Sequence, residues 1–348
     1  MKLVVHIGGP KTGTTSIQNI CALQRHRLAQ QGILYPRSLG ETKHELAAVC
    51  ATPFLPGFTT AKVPGITSPQ ALDAFRIDTA RQLQAEVDAS GCDTLLISNE
   101  NLFEKTRSQA DLDRFFSFLP AFDSVRIIAY LRHQVDFAAG VFSELVRMGT
   151  AETRQKFLNS DRSRTLIDYY GALAVWADRF GDRAVIARPY DRAQLSDGDS
   201  VVDFLGIMGI DRAVLDDDRV TAIRRSRQRL DLDATAFLEA FNGALETELA
   251  RRGQKGRMRA YKHIDHRTLV VDALERLASS GTLFSLSRAQ AADVMRQVKA
   301  GNQALERRFN IALPPPPRVG PAGKSRVSSK DMLRHFAAMW IETDFPLP

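Results

Sequence analysis

The stretch Leu3-Val4-Val5-His6-Ile7-Gly8-Gly9-Pro10-Lys11-Thr12-Gly13-Thr14-Thr15-Ser16-Ile17-Gln18 decides the fold. Leu3, Val4, Val5 and Ile7 form an apolar run too short for a helix and right for a buried strand. Two glycines and a proline interrupt it. Beyond the break, Thr14, Thr15 and Ser16 offer helix-capping hydroxyls, and Ile17, Ile20, Cys21 and Leu28 recur at helical spacing. A strand, a glycine-rich turn and a helix in this order aim backbone N–H groups and a helix N-terminus at an anion. The bland alternative is a crossover that binds nothing, but a bare turn needs neither Lys11 nor a row of hydroxyls.

The stretch nearly matches the nucleotide-binding pattern G-x-x-x-x-G-K-[ST]. Gly8 and Gly13 have the required separation, and Thr15 stands where a metal-binding hydroxyl belongs. Thr14, however, holds the lysine position, and the lysine of the stretch, Lys11, lies inside the loop. Such a loop still cradles phosphate oxygens, yet it lacks the lysine that an ordinary ATPase or GTPase uses on the β- and γ-phosphates.

Further along, strand-like runs alternate with helical ones. Ile33-Leu34-Tyr35 is a short extended piece after Gly32. Residues 36–69 are rich in Pro, Gly and Thr and read as a long functional loop, with one short helix around 44–49 that begins at His44. Residues 94–98, 125–131 and 184–187 are the further strands, with helices expected over 72–90, 111–119, 135–148 and 166–180. Alternation of this kind predicts an α/β fold, a P-loop-like central parallel sheet flanked by helices on both faces, with a mostly helical C-terminal third. Polar clusters at the carboxyl ends of strands, around Lys11, Glu100, Arg132 and Arg188, mark the expected ligand side. The main domain is expected over 1–310, with helices dominating 210–310. A Pro/Gly/Ser-rich tether follows over 311–330, then a final helix and tail over 331–348.

At 348 residues, with 44% hydrophobic and 25% charged residues, the chain suits a large soluble core. No apolar run is long enough to span a membrane. A strand at the extreme N-terminus leaves no room for a leader, and three scattered cysteines suit a reducing cytoplasm. The net charge of +7 favours anionic partners. The basic stretch 251–259 has no interleaved aromatics, so nucleic acid is not expected as a partner.

Pro10-Lys11-Thr12-Gly13-Thr14-Thr15, placed directly after an N-terminal strand, resembles the 5′-phosphosulfate loop of the sulfotransferases. These enzymes use 3′-phosphoadenosine 5′-phosphosulfate (PAPS) as donor. Tyr130-Leu131-Arg132-His133-Gln134 resembles that family's 3′-phosphate segment. Trp176 to Gly181, Arg188-Pro189-Tyr190 and Asp203-Phe204-Leu205 also resemble it, most of all its soluble bacterial branch. The resemblance covers most of residues 1–210 and is patchy afterwards. It implies that the amides of residues 12–15 and the Thr14 and Thr15 hydroxyls hold the 5′-phosphate, with Pro10 counted among the residues that bind the nucleotide. By the same resemblance Lys11 stabilises the leaving phosphate, Arg132 reads the 3′-phosphate, and no metal is required. The serine expected eight residues after the arginine is replaced by Gly140; Ser143, almost one turn on, is the candidate substitute.

A carboxylate ending a buried strand beside a phosphate loop is well placed as a general base, which singles out Glu100. Glu100 could instead cap a helix or pair with Lys105. In related carbohydrate sulfotransferases a glutamate or histidine takes the acceptor's proton, so His44 is the second candidate. The expected function is therefore sulfuryl transfer from PAPS to a hydroxyl or amine acceptor, a carbohydrate or glycolipid, releasing 3′-phosphoadenosine 5′-phosphate (PAP). A P-loop kinase and a non-catalytic nucleotide-binding protein are the alternatives.

Overall fold

The computed structural model describes residues 1–224, 232–254, 271, 274 and 284–314. These residues group into two compact units. Residues 1–133, 168–224 and 299–314 make up the first, and residues 134–167, 232–254, 271, 274 and 284–298 the second.

The first unit is built on a five-stranded, all-parallel sheet. Its strands are β1 (Lys2–Gly8), β2 (Ile33–Leu34), β3 (Thr94–Ser98), β4 (Ser124–Leu131) and β5 (Val185–Pro189), in the order β2-β3-β1-β4-β5. After its first residue β1 is buried throughout, which is why its sequence is a near-continuous apolar run rather than an alternation. Its even-numbered side chains face one helical layer. Val4, Leu96, Ile128 and Tyr130 of the sheet pack there with Ile17, Ile20 and Cys21 of α1 (Thr14–Leu23) and Leu28 of α2 (Arg25–Ala29).

On the opposite face lie α3 (Glu45–Ala51), α6 (Asn101–Lys105), α7 (Gln109–Ser117) and α11 (Tyr169–Phe180). Trp176 of α11 is fully buried edge-on to Phe115 of α7, and its indole N–H donates to the Thr106 hydroxyl at 3.2 Å. Two further helices, α4 (Pro56–Lys62) and α5 (Pro69–Ser90), precede β3. The Ser68 hydroxyl caps α5 and left-handed Gly91 ends it, as the sequence suggests.

Two readings need correction. Residues 36–69 do hold the expected short helix, as α3, but they are more than a loop around it. α3 runs through the core, with Ala47 to Ala51 fully buried, because its small side chains allow close packing on α6 and α7, and α4 is a second helix in the same stretch. The helix expected over 166–180 is two. α10 (Asp161–Ile167) ends before Asp168, whose carboxylate accepts from the Gly171 N–H at 2.9 Å and starts α11.

After β5, α12 (Ser200–Met208) is capped by Asp199 and closed by left-handed Gly209. It adds Val201, Phe204 and Leu205 to the core beside α1, and α13 (Asp218–Arg224) adds Val220. The second unit contains α8 (Gln134–Arg147), α9 (Arg154–Leu158), α10, α14 (Leu232–Arg251) and the start of α15 (Arg288–Phe309). Within it Asn242 donates to the Val146 carbonyl at 2.9 Å, and Phe142 packs with Phe157 and Phe284. The strand signal therefore gives way to helix after β5 among the described residues. Parts of the helical stretch expected over 210–310, residues 255–259 of the basic stretch among them, and the tether and final helix from residue 315 on lie outside the described residues. No described helix is long and apolar enough to cross a membrane.

Candidate functional site

The strand order places β1 between β3 and β4, so the turn after β1 is flanked by the ends of both neighbours. The chain's path across the sheet reverses around β1, and ligands of open parallel sheets bind outside the carboxyl ends at such a reversal.

Four residues of this turn have positive φ: Gly8 (79°), Gly9 (129°), Lys11 (67°) and Gly13 (80°). Gly9 lies so close to β4 that an added methyl would stand 2.3 Å from the Tyr130 carbonyl oxygen. At Gly13 the obstruction would be the Ser200 hydroxyl, at 2.2 Å. Thr12 is buried and closes the turn by donating its hydroxyl to the Gly9 carbonyl. Gly13, not a hydroxyl, is the N-cap of α1, and no side chain bonds the first turn. The expected Thr and Ser caps are absent because the chain reaches the helix through a left-handed residue rather than an extended one. The first-turn N–H groups of Thr14 and Thr15 are thereby left to an external acceptor.

Lys11 is exposed at the crest of the turn. Arg132, one residue past β4, donates from Nη1 to the Lys11 carbonyl at 3.2 Å, and its guanidinium lies over the Tyr190 ring, 5.7 Å from the centroid. The Arg132 carbonyl in turn accepts from the Tyr169 hydroxyl at 2.7 Å. Glu100, two residues past β3, flanks the other side: its Cβ stands 2.9 Å from where a Gly8 methyl would be. The structure thus gathers Pro10 to Thr15, Glu100 and Arg132 at one edge of the first unit.

Glu100 is partly buried. Its Oε2 accepts from Gln18 Nε2 at 2.7 Å, and Oε1 is 3.4 Å from Lys43 Nζ. Burial pushes the carboxyl up, but Lys43 and the Gln18 bond outweigh it and hold the group below the usual glutamate value. The alternative pairing of Glu100 with Lys105 does not form, because Lys105 pairs with its neighbour Glu104.

His44 is withdrawn as a base. It is fully buried against the Tyr35 ring, and both imidazole nitrogens are engaged. Nδ1 accepts from the Ser98 N–H at 3.0 Å, so Nε2 carries the proton and donates to the Pro36 carbonyl at 3.0 Å. Burial, with a contribution from Arg25, lowers its pKa to about 3. Ser143 belongs to the second unit, where its buried hydroxyl is 3.3 Å from that of Thr235 on α14.

Gln18 and Lys43 were not singled out from the sequence. Gln18 did carry a signal: a polar residue on the apolar stripe of Ile17, Ile20 and Cys21 needs a buried partner. Nothing in the sequence around Lys43 separates it from a solvated lysine. Among the described residues no cluster of three or more His, Cys, Asp or Glu side chains could hold a metal ion.

No protein-family model matches the chain. One curated relative, an uncharacterized protein of Archaeoglobus fulgidus, is 30% identical over 86 residues, covering 25% of this chain and 23% of its own length. The chain therefore spans under a quarter of that relative. No solved structure matches.

Proposed function

We propose that the protein is a PAPS-dependent sulfotransferase that transfers a sulfuryl group to a hydroxyl, with a carbohydrate or glycolipid as acceptor. The observation that carries the reading is the joint between Arg132 and the Lys11 carbonyl. A guanidinium at the end of β4 leans on a glycine-rich turn whose lysine lies inside the loop. An ordinary nucleoside triphosphate would meet no lysine after Gly13 here. A nucleotide with a further phosphate on its ribose would meet Arg132, whose planar fork suits bidentate phosphate recognition.

In this reading the N–H groups and hydroxyls of Thr14 and Thr15 bind the 5′-phosphate at the helix N-terminus. Lys11 meets the charge that builds on the departing phosphate, and Glu100, ionised beside Lys43, takes the proton of the acceptor hydroxyl. Sulfuryl transfer, like phosphoryl transfer, needs chiefly alignment and charge stabilisation, which such a frame supplies. The three free cysteines, two of them buried, suit a cytoplasmic setting.

Calorimetry with PAP, ADP and AMP, without added magnesium, tests the reading. PAP is expected to bind far more tightly than the other two. Equal affinities, or a strict magnesium requirement, would overturn it in favour of a P-loop kinase.

A further inference from the structure

We propose that Gln18 and Lys43 are positioning residues for Glu100: Gln18 fixes the direction of the carboxylate, and Lys43 sets the pH at which it accepts a proton. The proposal rests on the sulfotransferase reading above for the identity of the reaction, and on the geometry of the first unit for everything else.

Each carboxylate oxygen has its own partner, Gln18 Nε2 at 2.7 Å on Oε2 and Lys43 Nζ at 3.4 Å on Oε1. Gln18 is fully buried on α1, and its amide oxygen has no hydrogen-bond partner. An apolar side chain would fill that place without leaving a buried polar atom unpaired, so the amide is explained by its bond to Glu100. The helix that carries Gln18 is also the one whose N-terminus faces the turn after β1. One rigid element therefore orients both the anion-binding amides and the carboxylate, which removes a hinge between donor and base.

Lys43 is held from the other direction. It precedes His44, which is locked to β3 twice: the His44 N–H donates to the Ser98 carbonyl at 3.2 Å, and the Ser98 N–H donates to His44 Nδ1 at 3.0 Å. Ser98 ends β3 two residues before Glu100, so the imidazole ties the backbone at Lys43 to the strand that presents the carboxylate. The buried histidine is thus an anchor for the lysine. Lys43 and Glu100 keep 32% and 20% of their side-chain surface, enough for a substrate hydroxyl to reach the pair.

Two other titratable groups face Glu100. His6 on β1 is kept neutral by burial, and Tyr35, also buried, stays protonated. Lys43 is the cation in contact with the carboxylate, and it opposes the burial that would otherwise protonate it. The step served is balanced as follows. The acceptor O–H gives its proton to Glu100, and its oxygen pair forms the new O–S bond. The bond from sulfur to the bridging phosphate oxygen breaks, and its electron pair leaves on PAP. Glu100 later returns the proton to solvent.

The test uses the full chain with 13C-labelled glutamate carboxyls, the Glu100 signal being assigned by its loss in Glu100→Gln. Its titration midpoint is followed in wild type, Lys43→Met, Lys43→Arg and Gln18→Leu, with PAP calorimetry on the same samples. Lys43→Met is expected to move the midpoint up, past the ordinary glutamate range, and Lys43→Arg to bring it back. Gln18→Leu should move it up by less, and PAP affinity should stay unchanged in every variant. A midpoint that does not move in Lys43→Met overturns the proposal, and this variant, being partly exposed, keeps the test alive if Gln18→Leu does not fold. Altered PAP affinity with a fixed midpoint also overturns it, since Lys43 would then be a donor ligand. If wild type binds no PAP, the sulfotransferase reading falls and takes the base role with it, while the titration separately reports whether the carboxylate is tuned.

Discussion

Two histidines show how far a residue's role depends on what folds around it. His6 and His44 are both fully buried. His6 bonds the Ser98 hydroxyl through Nδ1 at 2.8 Å and leaves Nε2 without a partner. Burial, opposed by Glu100, lowers the His6 pKa to about 4, and that of His44 is about 3. Both are neutral in the folded protein, whereas in the unfolded chain each takes a proton below its ordinary value of 6.5. Their contribution to stability is complete above that pH and is lost as the pH falls toward the folded values. At pH 5 each should cost about 2 kcal/mol relative to neutral pH. Urea unfolding at pH 7.5 and pH 5 checks this: His44→Gln should lose about half as much stability between the two as wild type does. Equal losses would assign the pH dependence to other groups. His44 was legible as a residue of interest but not in its role. The sequence around it is rich in loop formers, and only the tertiary placement of Tyr35, Pro36 and Ser98 reveals a core anchor.

At the scale of the element, the turn between β1 and α1 was legible in its spacing and not in its reasons. The string Gly8 to Thr15 announces an anion cradle because strand, glycines and helix come in that order. What Gly9 is for cannot be read locally, since the atom it makes room for belongs to Tyr130. The capping hydroxyls misled for a related reason: they suit an extended entry to the helix, and the chain enters through Gly13 at φ 80°. Gly9→Ala should therefore both strain the backbone and push β4 from the turn, at a cost of about 2–4 kcal/mol. Gly57→Ala on α4 is the matched control, with open space around the position and a helical backbone that favours alanine. Chemical denaturation of the two variants decides the point. A Gly9→Ala protein as stable as Gly57→Ala would show that the turn yields and that the close approach to β4 is not needed.

At the scale of the molecule, the site is assembled from chain segments far apart in sequence, around residues 8–13, 100 and 130–132. Each strand was legible from its apolar run, but the order β2-β3-β1-β4-β5 was not, and that order alone sets Glu100 on one side of the turn and Arg132 on the other. Long-range polar contacts fix this order further, and Asp203 on α12 is the clearest. Its buried carboxylate accepts from Arg188 Nη2 at 2.7 Å, the Tyr130 hydroxyl at 3.0 Å and the Ser196 N–H at 3.1 Å, joining β5, β4 and the segment before α12. Burial opposes its charge, yet the bond from Arg188 and those from Ser196 and Tyr130 hold it below the usual aspartate value. Tyr130 is the residue whose main-chain carbonyl presses on Gly9, so the carboxylate, bonded to its side-chain hydroxyl, steadies the floor beneath the turn from the other end of the same residue. Arg188 is partly exposed and can turn to water once the carboxylate is gone, but the Tyr130 hydroxyl cannot. Asp203→Ala should accordingly lose about 2–3 kcal/mol, mainly from that unpaired hydroxyl. Tyr130→Phe, which removes the hydroxyl and keeps the ring, should lose about 1 kcal/mol. Combined with Asp203→Ala it should cost clearly less than the sum of the two, because the phenol is no longer there to be left unpaired. Strict additivity in that double-mutant cycle, measured by urea unfolding, would show that Asp203 and Tyr130 act independently and that the link from α12 to the turn does not carry energy.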